Sequence, residues 1–596
     1  MNIELFLAEI ISSQVNQLFG LTTIPSDIII QKTKKEFEGD YTLVTFPFIK
    51  AAKLTPEKTG EVIGDAILKV NPSITKFNIV KGFLNISLSN TFWMSVFKGI
   101  ASNAHYGIKP ALSSGKQIML EYSSPNTNKP LHLGHIRNNL LGFSVASILK
   151  TQGHDVVKVN IINDRGIHIC KSMLAWQLFG HGETPTSSGL KGDHLVGKYY
   201  VEFDKAYKKE IQTLIEAGKT KEDAEKQAPL IVQAQEMLLK WEANDTEVIS
   251  LWKTMNGWVY EGFDVTYKKL GVDFDKLYYE SNTYILGKEI IQIGLANNVF
   301  YKKENGSTCI DLTKDGLDEK VVLRSDGTSV YITQDLGTAI ERFKEYPKLS
   351  QMIYTVGNEQ DYHFKVLFKI LEKLGYNWAK ECYHLSYGMV ELPEGKMKSR
   401  EGTVVDADDL IDGMVATAKQ TTEELGKVEG FTTDELEILY NTIGMGALKY
   451  FILKVDPKKK MLFDPKESID FNGHTGPFIQ YSHARIKSIL RKFEGNSDTI
   501  AISDTIELHD KEKELIKLQY DFVKILEESA STLNPAVVAN YSYDLTKSFN
   551  QFYNECPVLK EENSAIKELR IKLVETTARI IKNSMLCLGI DVPERM

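Results

Sequence analysis

A strand–helix–strand pattern between residues 118 and 162 constrains the fold of this 596-residue chain more than any other feature. Residues 118–122, IMLEY, form a short apolar run typical of a buried strand, and residues 156–162, VVKVNII, form a second one. The segment between them, residues 136–150, carries its apolar side chains at helical spacing. Two strands joined through a helix pair in parallel with a right-handed crossover. The pattern therefore predicts a parallel α/β sheet.

Three domains are predicted around this sheet. Residues 1–112 combine helical stretches with alternating apolar runs, which predicts an α+β N-terminal domain. Residues 113–432 carry the parallel sheet, interrupted by a charged helical insertion at about 180–300. Residues 433–596 show only helical patterns and predict an all-α C-terminal domain. The predicted fold class is therefore a multidomain α/β protein.

Strand patterns resume after the insertion with VVLRSDGTSVYIT, residues 321–333. The Asp326-Gly327 pair in this stretch is typical of a tight turn between two strands, so a hairpin is predicted here.

Composition excludes several classes of protein. No apolar run approaches the ~18 residues that a membrane-spanning helix needs, so no membrane association is predicted. The five cysteines contain no CxxC pair, which argues against a disulfide framework or a zinc ribbon and favours the reducing cytoplasm. The net charge is −8, so any contact with nucleic acid must use local basic patches.

The loop of the strand–helix–strand unit is unusual in composition: residues 123–138 read SPNTNKPLHLGHIRNN. In a parallel sheet, ligands bind beyond the carboxyl ends of the strands, where loops enter helix N-termini that favour anions. Gly134 lacks a Cβ atom and would let a flat ring or a phosphate approach the backbone. His132 and His135 could donate hydrogen bonds to phosphate oxygens. Two alternatives are surface histidines without a role and a metal pair, which would lack an evident third ligand.

A second stretch, GMVELPEGKMKSREGTVV at residues 388–405, follows the last strand of the sheet. It supplies Lys396, Lys398 and Arg400 on a loop between Gly395 and Gly402. Loops of this kind close over anionic groups. Alone it would be interpreted as a solvated basic turn. Together with the turn that carries His132 and His135 (residues 131–135, called the histidine turn below), it predicts a phosphate-binding site.

The two stretches resemble the paired signatures of class I aminoacyl-tRNA synthetases, with HLGH in place of HIGH and KMKSR in place of KMSKS. The block SPNTNKPLHLGHIR is similar to the characteristic block of the arginyl-tRNA synthetase family. Four further stretches resemble the same family: YITQDLG (331–337), EQDYHF (359–364), DFNGHTGPFIQYSHARI (470–486) and LGIDVPERM (588–596). The resemblance implies a Rossmann-type catalytic domain, an N-terminal module that contacts tRNA, and a helical anticodon-binding domain.

The resemblance also implies the chemistry. The arginine carboxylate would attack the α-phosphate of ATP, giving arginyl-adenylate and pyrophosphate, and a ribose hydroxyl at the 3′ end of tRNA would then take the arginyl group. Both attacking groups belong to substrates, so catalysis is positioning and charge stabilisation. The implied substrates and partners are ATP with Mg²⁺, L-arginine and tRNA(Arg), and the implied oligomeric state is a monomer.

Site residues follow from the same resemblance, and no protein metal ligand is among them. The implied ATP site consists of Pro125, His132, Gly134, His135, Lys396 and Met397. The implied arginine site consists of Glu121, Asn126, His132, Tyr331, Asp335 and Gln360. The implied catalytic groups are His132, His135, Lys129, Lys396 and Lys398, and the implied tRNA contacts are Arg485 and Met596.

One position departs from the KMSKS pattern, because Ser399 stands where the second lysine would fall. Lys129, just before the histidine turn, is predicted to act on the phosphates in its place, with Lys398 as the competing group. A solvated loop lysine is the alternative role for Lys129.

Recognition of arginine can also be reasoned from chemistry. A guanidinium offers five donors and a permanent charge, so its pocket needs carboxylates and flat acceptors. The family resemblance implies that Glu121, Tyr331 and Asp335 hold the guanidinium, while Asn126 and Gln360 hold the amino-acid backbone groups. The alternative for Glu121 and Asp335 is an exposed strand end. A neutral analogue would leave the carboxylates unpaired, so an editing domain would be unnecessary.

Three other functions compete with this hypothesis. Another class I synthetase would need features absent here: zinc ligands for a cysteinyl enzyme, a basic pocket for a glutamyl one, or a larger editing insertion for a leucyl, isoleucyl or valyl one. A non-catalytic RNA-binding paralogue would be expected to lose the histidines or the loop cations. A small nucleotidyltransferase would not account for the long helical C-terminal half.

Overall fold

The computed structural model describes residues 2–328, 330–391, 405–426, 430–503 and 506–596. The chain divides into two compact units. The first unit comprises Met1–Tyr106, Ile486–Val523 and Leu545–Ile580. The second unit comprises Gly107–Arg485, Lys524–Asp544 and Ile581–Met596.

The strands of the described residues range from two to nine residues in length. They are β1 (Ile30–Lys32), β2 (Tyr41–Val44), β3 (Ile74–Val80), β4 (Phe83–Leu88), β5 (Gln117–Glu121), β6 (Asp155–Ile162), β7 (Lys276–Tyr279), β8 (Tyr301–Lys302), β9 (Thr308–Ile310), β10 (Lys320–Leu323), β11 (Leu349–Gly357), β12 (Cys382–Tyr387), β13 (Val390–Glu391) and β14 (Met461–Leu462).

The α-helices account for most of the remaining described residues. They are α1 (Ile3–Phe19), α2 (Ile49–Ala52), α3 (Pro56–Val70), α4 (Asn90–Ala101), α5 (Leu133–Thr151), α6 (Ile167–Phe179), α7 (Pro185–Ser188), α8 (Gly192–Glu216), α9 (Lys221–Gln227), α10 (Pro229–Glu242), α11 (Thr246–Leu270), α12 (Glu280–Thr283), α13 (Gly287–Ala296), α14 (Tyr331–Glu345), α15 (Asp361–Lys373), α16 (Ala407–Glu424), α17 (Thr433–Leu453), α18 (Pro465–Ser468), α19 (Gly476–Lys492), α20 (Asp510–Thr532), α21 (Pro535–Glu555) and α22 (Ser564–Cys587).

The first unit contains a four-stranded antiparallel sheet in the order β1-β2-β4-β3. Its longest hairpin turns at Lys81 and Gly82, which both have positive φ angles (52° and 78°) that match the twist of the flanking strands. Helices α1 and α3 bury Leu7, Ile63 and Ile67. The predicted α+β character of the N-terminal region is therefore confirmed.

The second unit is built on a five-stranded sheet in the order β12-β11-β5-β6-β7, with every neighbouring pair parallel. The central strand β5 buries Ile118, Met119 and Leu120 almost completely, as a strand covered on both faces must. The chain moves outward from β5 to β6 and β7 on one side and to β11 and β12 on the other. Ligands bind at such a switch point, beyond the carboxyl ends of the strands.

Strand β7 is a difference from the sequence prediction. It lies inside the segment predicted as a helical insertion, whose helices α7 to α11 end at Leu270. The strand then pairs in parallel with β6. Four residues, KLYY, are too few for a periodic pattern to reveal.

The predicted hairpin at Asp326-Gly327 is wrong in its second strand. The turn is present, since the Thr328 N–H donates to Asp326 Oδ1 over 2.8 Å, but helix α14 begins at Tyr331. The β-branched residues at the start of α14 favour a strand locally. Burial of Ile332, Leu336 and Ile340 at helical spacing decides the outcome.

The C-terminal region is helical as predicted, apart from the two-residue strand β14, which pairs with β13. Each of the helices α19 to α22 contributes residues to both compact units. Within the described ranges, no helix combines the length and apolarity that a bilayer crossing requires.

Candidate active site

The turn that follows β5 is held in a strained backbone conformation. Ser123 and Ser124 have φ angles of 79° and 47°, in the left-handed region that non-glycine residues rarely occupy. Their N–H groups donate to Asn138 Oδ1 (2.5 Å) and Asn160 Oδ1 (3.0 Å). These bonds fix a sharp turn that carries Pro125 past the end of β6.

Asn138, on helix α5, joins three strand ends at the switch point. Besides accepting from Ser123 after β5, its Nδ2 donates to the Thr355 carbonyl of β11 (2.7 Å) and to the Tyr387 hydroxyl of β12 (3.2 Å). Sequence reasoning missed this residue. The available signal was the polar run Arg137-Asn138-Asn139 at the start of a helix whose following residues are mostly apolar.

His132 and His135 form a reciprocal cap at the N-terminus of α5. The Gly134 N–H donates to His132 Nδ1, and the His132 N–H donates to His135 Nδ1, both over 3.1 Å. The ring centroids are 3.9 Å apart. Because both Nδ1 atoms accept hydrogen bonds, each neutral ring carries its proton on Nε2. Both side chains are thus oriented with an Nε2–H available as a donor.

Burial keeps the two histidines uncharged at neutral pH. It lowers the pKa of His132 to about 4, and the Lys129 ammonium adds to this effect. Burial, His132 and Lys129 together hold the pKa of His135 well below its ordinary value. The histidines therefore act as neutral donors, and the positive charge beside them belongs to Lys129.

Gly134 lies close to a neighbouring side chain inside the turn. A Cβ atom at this position would lie 3.0 Å from His132 Cε1 and 3.1 Å from its Nδ1. A side chain would therefore crowd the His132 ring, which would have to shift slightly within the cap. This contact is a second reason for glycine at position 134, beside the predicted approach of a ligand to the backbone.

Lys129 is half-buried, and burial lowers its pKa. Among the described residues its ammonium has no carboxylate partner, so no anionic side chain balances its charge. A partly desolvated cation without a counterion favours an anionic ligand.

Lys396, Met397 and Lys398 lie outside the described residues, so their predicted roles stay predictions. The chain is described again from Val405, whose carbonyl accepts from the Leu133 N–H over 2.9 Å. The Ala407 N–H donates to the Leu131 carbonyl over 3.0 Å. The segment that follows the basic stretch is thus bonded directly to the histidine turn.

Glu121 is buried rather than exposed at a strand end. Its carboxylate accepts from Arg342 of α14, whose guanidinium is also fully enclosed and lies 4.7 Å from the Tyr278 ring centroid. The chain itself therefore already supplies one guanidinium to Glu121. Any contact of this carboxylate with a substrate guanidinium would be shared with Arg342.

The Glu121–Arg342 pair gives a stability prediction. Arg342→Met should destabilise the second unit by about 3–5 kcal/mol, because it leaves a buried carboxylate without its partner. Arg342→Met combined with Glu121→Leu should recover part of this loss. Urea unfolding of the single and double variants measures the difference, and equal losses in both would contradict the assignment.

Tyr331 and Asp335 lie one turn apart at the start of helix α14, so the expected strand end at Asp335 is wrong. Asp335 lies 2.6 Å from His363 Nε2, while Tyr331 is 77% exposed. Gln360 ends the short turn after β11, and Asn126 follows the strained turn after β5. Both are exposed, as groups that wait for a substrate would be.

Glu280 is a residue that sequence reasoning missed. It directly follows β7, as Glu121 ends β5, and the short helix α12 that it opens packs against α14. Burial raises the pKa of its carboxyl to about 7; the Arg165 guanidinium opposes this rise, and the carboxylates of Asp164 and Asp335 add to it. Within the described ranges the carboxylate of Glu280 has no hydrogen-bond or ion-pair partner. Recognition of β7 in the sequence would have drawn attention to it.

Comparison with known proteins decides the family. Family sequence models match three regions: "Arginyl tRNA synthetase N terminal domain" at residues 5–88, "tRNA synthetases class I (R), catalytic domain" at 97–464, and "DALR anticodon binding domain" at 479–596. The arginine–tRNA ligase of Flavobacterium psychrophilum is 57% identical over 606 residues, covering 100% of both chains. The chain belongs to the arginyl-tRNA synthetase family.

Two further comparisons agree with this family. The arginine–tRNA ligase of Bacteroides thetaiotaomicron is 55% identical over 598 residues, again covering 100% of both chains. The solved structure of Thermus thermophilus arginyl-tRNA synthetase superposes with a TM-score of 0.78 at 25% identity, over 100% of each chain.

The C-terminal tail of this synthetase is packed within the second unit. Gln480 Nε2 donates to the Asp591 carbonyl (2.8 Å), and His483 Nδ1 donates to the Pro593 carbonyl (2.9 Å). Arg485, one turn beyond Tyr481 on α19, lies over the Tyr481 ring at 4.9 Å. Met596 is half-buried at the end of the tail. The predicted tRNA contacts of Arg485 and Met596 stay predictions.

One group of side chains among the described residues has the spacing of a metal site: Asp193, His194 and Asp408. Lys191 already occupies this cluster, with its Nζ 3.1 Å from Asp193 and in contact with Asp408. The lysine ammonium supplies the positive charge that a metal ion would otherwise bring.

Proposed function

We propose that the chain activates L-arginine with ATP and transfers the arginyl group to the 3′ end of tRNA(Arg). The observation that carries the proposal is the reciprocal cap of His132 and His135 beside the uncompensated Lys129, at the switch point of a parallel sheet. Two neutral donors and one cation suit the oxygens of a triphosphate. Membership of the arginyl-tRNA synthetase family supplies the class of reaction.

In the first step, the arginine carboxylate attacks the α-phosphate and pyrophosphate leaves. The Nε2–H groups of His132 and His135 bind phosphate oxygens where negative charge increases, and their fixed tautomers avoid reorganisation during the reaction. Lys129 is proposed to stabilise the departing charge in place of the missing second lysine of the KMSKS pattern, with Lys398 as the competing group for this role, and Lys396 is proposed to bind the pyrophosphate. No protein nucleophile is needed.

Mg²⁺ is proposed to enter with ATP, neutralising part of the triphosphate charge. Mg²⁺ is commonly bound through substrate phosphates and retained waters rather than by a protein cage. The donor set fits this arrangement, because the one metal-like cluster of the described residues is already neutralised by Lys191. The residues that bind ATP would therefore bind its Mg²⁺ complex.

Arginine is proposed to lie across the carboxyl ends of β5, β7 and β11. Asp335 and Tyr331 would hold the guanidinium, Glu121 would act together with Arg342, and Asn126 and Gln360 would hold the α-amino and α-carboxyl groups. We add Glu280 to this set as a second carboxylate beside Asp335. Two carboxylates near one another repel, and a guanidinium with donors in a rigid fork relieves that repulsion.

This pocket predicts a pH dependence of arginine binding. Glu280 is largely protonated below its pKa of about 7 and ionised above it, and the ionised form attracts the guanidinium. The KM for arginine should therefore fall as pH rises through about 7, and Glu280→Gln should flatten the profile. Steady-state exchange kinetics across this pH range measure both, with Glu341→Gln on the outer part of α14 as the control.

The remaining regions are assigned to tRNA. Residues 1–112 are proposed to contact the body of tRNA, residues 113–432 to carry out the chemistry, and residues 433–596 to bind the anticodon region, with Arg485 and Met596 among the contacts. A monomer in the cytoplasm remains the predicted state.

Aminoacylation tests the proposal as a whole. Purified protein is incubated with ATP, Mg²⁺, labelled arginine and tRNA(Arg), and acid-precipitable label is followed. Charging of tRNA(Arg), and none of tRNA(Lys) with labelled lysine, is expected. Binding of tRNA(Arg) without charging would favour the non-catalytic RNA-binding paralogue.

A further inference from the structure

The helical insertion contacts the histidine turn through the first turns of helix α8. A Cβ atom on Gly197 would lie 2.8 Å from Pro130 Cδ, so the helix backbone lies directly against the loop that leads into the turn. One turn earlier, the same helix presents Asp193 and His194. The insertion is therefore adjacent to the proposed ATP site.

His194 joins this helix to the segment that follows the basic stretch. Its Nε2 lies 3.4 Å from Asp406 Oδ2 and 3.3 Å from Asp408 Oδ2. Asp406 in turn is the N-cap of α16, accepting from the N–H groups of Asp408 (2.8 Å) and Asp409 (3.2 Å). One imidazole thus holds both carboxylates at the start of α16.

Asp406 is also bonded through its neighbours to the histidine turn. It forms an isolated antiparallel bridge with His132, through the bonds of Val405 to Leu133 and of Ala407 to Leu131. A displacement of Asp406 would therefore displace the backbone that presents His132. The geometry gives a continuous path from the insertion to a proposed phosphate-binding group.

We infer that His194 is a positioning residue for ATP binding: through Asp406 it fixes residues 405–407 against the histidine turn. This inference rests on the proposed function and assigns a role to the helical insertion. His194 itself contacts no substrate, so its effect reaches the phosphates only through the backbone of residues 405–407 and His132.

The charges around His194 favour its cationic form. Three carboxylates face it: Asp193 on its own helix, and Asp406 and Asp408 on the opposite segment. Two cations lie nearby. One is Lys191, and the other is Lys269 of α11, whose Nζ is 3.7 Å from Asp408 and 2.8 Å from Asp412. Burial alone would lower the pKa of His194, but Asp408, Asp406 and Asp193 outweigh it and raise the pKa above its ordinary value, against Lys191.

Protonation of His194 makes the position of the histidine turn depend on pH. Because its pKa is raised, the stabilising charge of His194 is fully present below the ordinary histidine pKa. It is lost as pH rises through the raised pKa. Positioning of the turn, and with it the affinity for ATP, should decline as pH rises through the raised pKa of His194. The arginine pocket changes in the opposite direction, so the two effects are separable by substrate.

The test uses His194→Gln and His194→Arg in the full-length protein, with ATP–pyrophosphate exchange as the readout. Glutamine keeps a donor but no charge, and should raise the KM for ATP about tenfold while leaving the KM for arginine within about twofold. Arginine keeps a permanent cation, and should retain a low KM for ATP without the rise that is expected of the wild type as pH increases through the raised pKa of His194. His181→Asn, at an exposed loop residue with a positive φ angle, is the matched control.

Two results would overturn the inference. One is a KM for ATP in His194→Gln equal to that of the wild type with the same pH profile. The other is a parallel rise in the KM for arginine and ATP in both variants, which would assign His194 a general structural role. Absence of exchange in the wild type would instead contradict the proposed function itself.

Discussion

Replacing His135 by asparagine should lower kcat for arginine-dependent ATP–pyrophosphate exchange by about 100- to 1000-fold. Asparagine Oδ1 can still accept from the His132 N–H, which His135 Nδ1 does over 3.1 Å in the native turn. The helix cap is therefore preserved, while the Nε2–H donor is lost. A loss of this size is typical when one preorganised donor to a developing negative charge is removed.

A companion variant separates the two functions of the ring. In His135→Gln the side-chain amide reaches the position of Nε2 but no longer fits as the cap, so activity should be partly retained and stability reduced. His154→Gln, at the amino-terminal edge of the same sheet, serves as the control because the one hydrogen bond given for its ring among the described residues is to Ser114, away from the histidine turn. A change of less than about threefold in His135→Asn would show that His135 makes no bond to the reacting phosphate.

Replacing Asp335 by asparagine should reduce kcat/KM for arginine by about 100-fold or more while leaving the KM for ATP unchanged. Asparagine preserves shape and one acceptor but removes the charge that pairs with the guanidinium. The loss should be smaller for citrulline, which is neutral, so discrimination between the two amino acids should narrow. Inhibition of exchange by citrulline provides that second measurement.

Two controls locate the effect of Asp335. His363→Gln keeps a donor toward Asp335, whose carboxylate lies 2.6 Å from His363 Nε2, and should cost much less than removing the carboxylate. Asp361→Asn, an exposed carboxylate on α15, should leave arginine kinetics unchanged. Equal effects of Asp335→Asn and Asp361→Asn would mean that a general acidic surface, not a specific ion pair, attracts the substrate.

The sequence was sufficient for features that arise from local periodicity. The parallel sheet, the α+β character of residues 1–112 and the C-terminal helices all rest on patterns long enough to be recognised. The strand β7, with four residues, and the helical start at Tyr331, with its β-branched neighbours, do not. At Tyr331 the packing of α14 against the sheet overrides the local preference.

The site was predictable in part for the same reason. His132, Gly134 and His135 lie within one turn, so their cooperation is local and visible in the sequence. Asn138 and Thr355 are 217 residues apart, and Arg342 and Glu121 are 221 apart, so their contacts appear only after folding. The pairing of Glu121 by an internal arginine could not be inferred from an acid in an apolar run.

The buried charges of the helical insertion could not be predicted from the sequence for a third reason. Its charged sequence predicts solvated helices, which most of α9 and α10 are, but Lys191, Asp193 and His194 face inward onto Asp408. A buried charge cluster and a solvated face have the same composition. Only the residues that the charged side chains contact distinguish the two cases. Here those residues lie in a distant segment, since His194 and Asp408 are 214 residues apart.

Arginine-dependent ATP–pyrophosphate exchange tests the central claim most directly, measured with and without tRNA(Arg) and with lysine and citrulline in place of arginine. We expect exchange with arginine and none with lysine or citrulline, and any requirement for tRNA would show that tRNA binding completes the site. Absence of exchange in both conditions, from protein that binds ATP, would contradict adenylate formation and favour an RNA-binding role without catalysis.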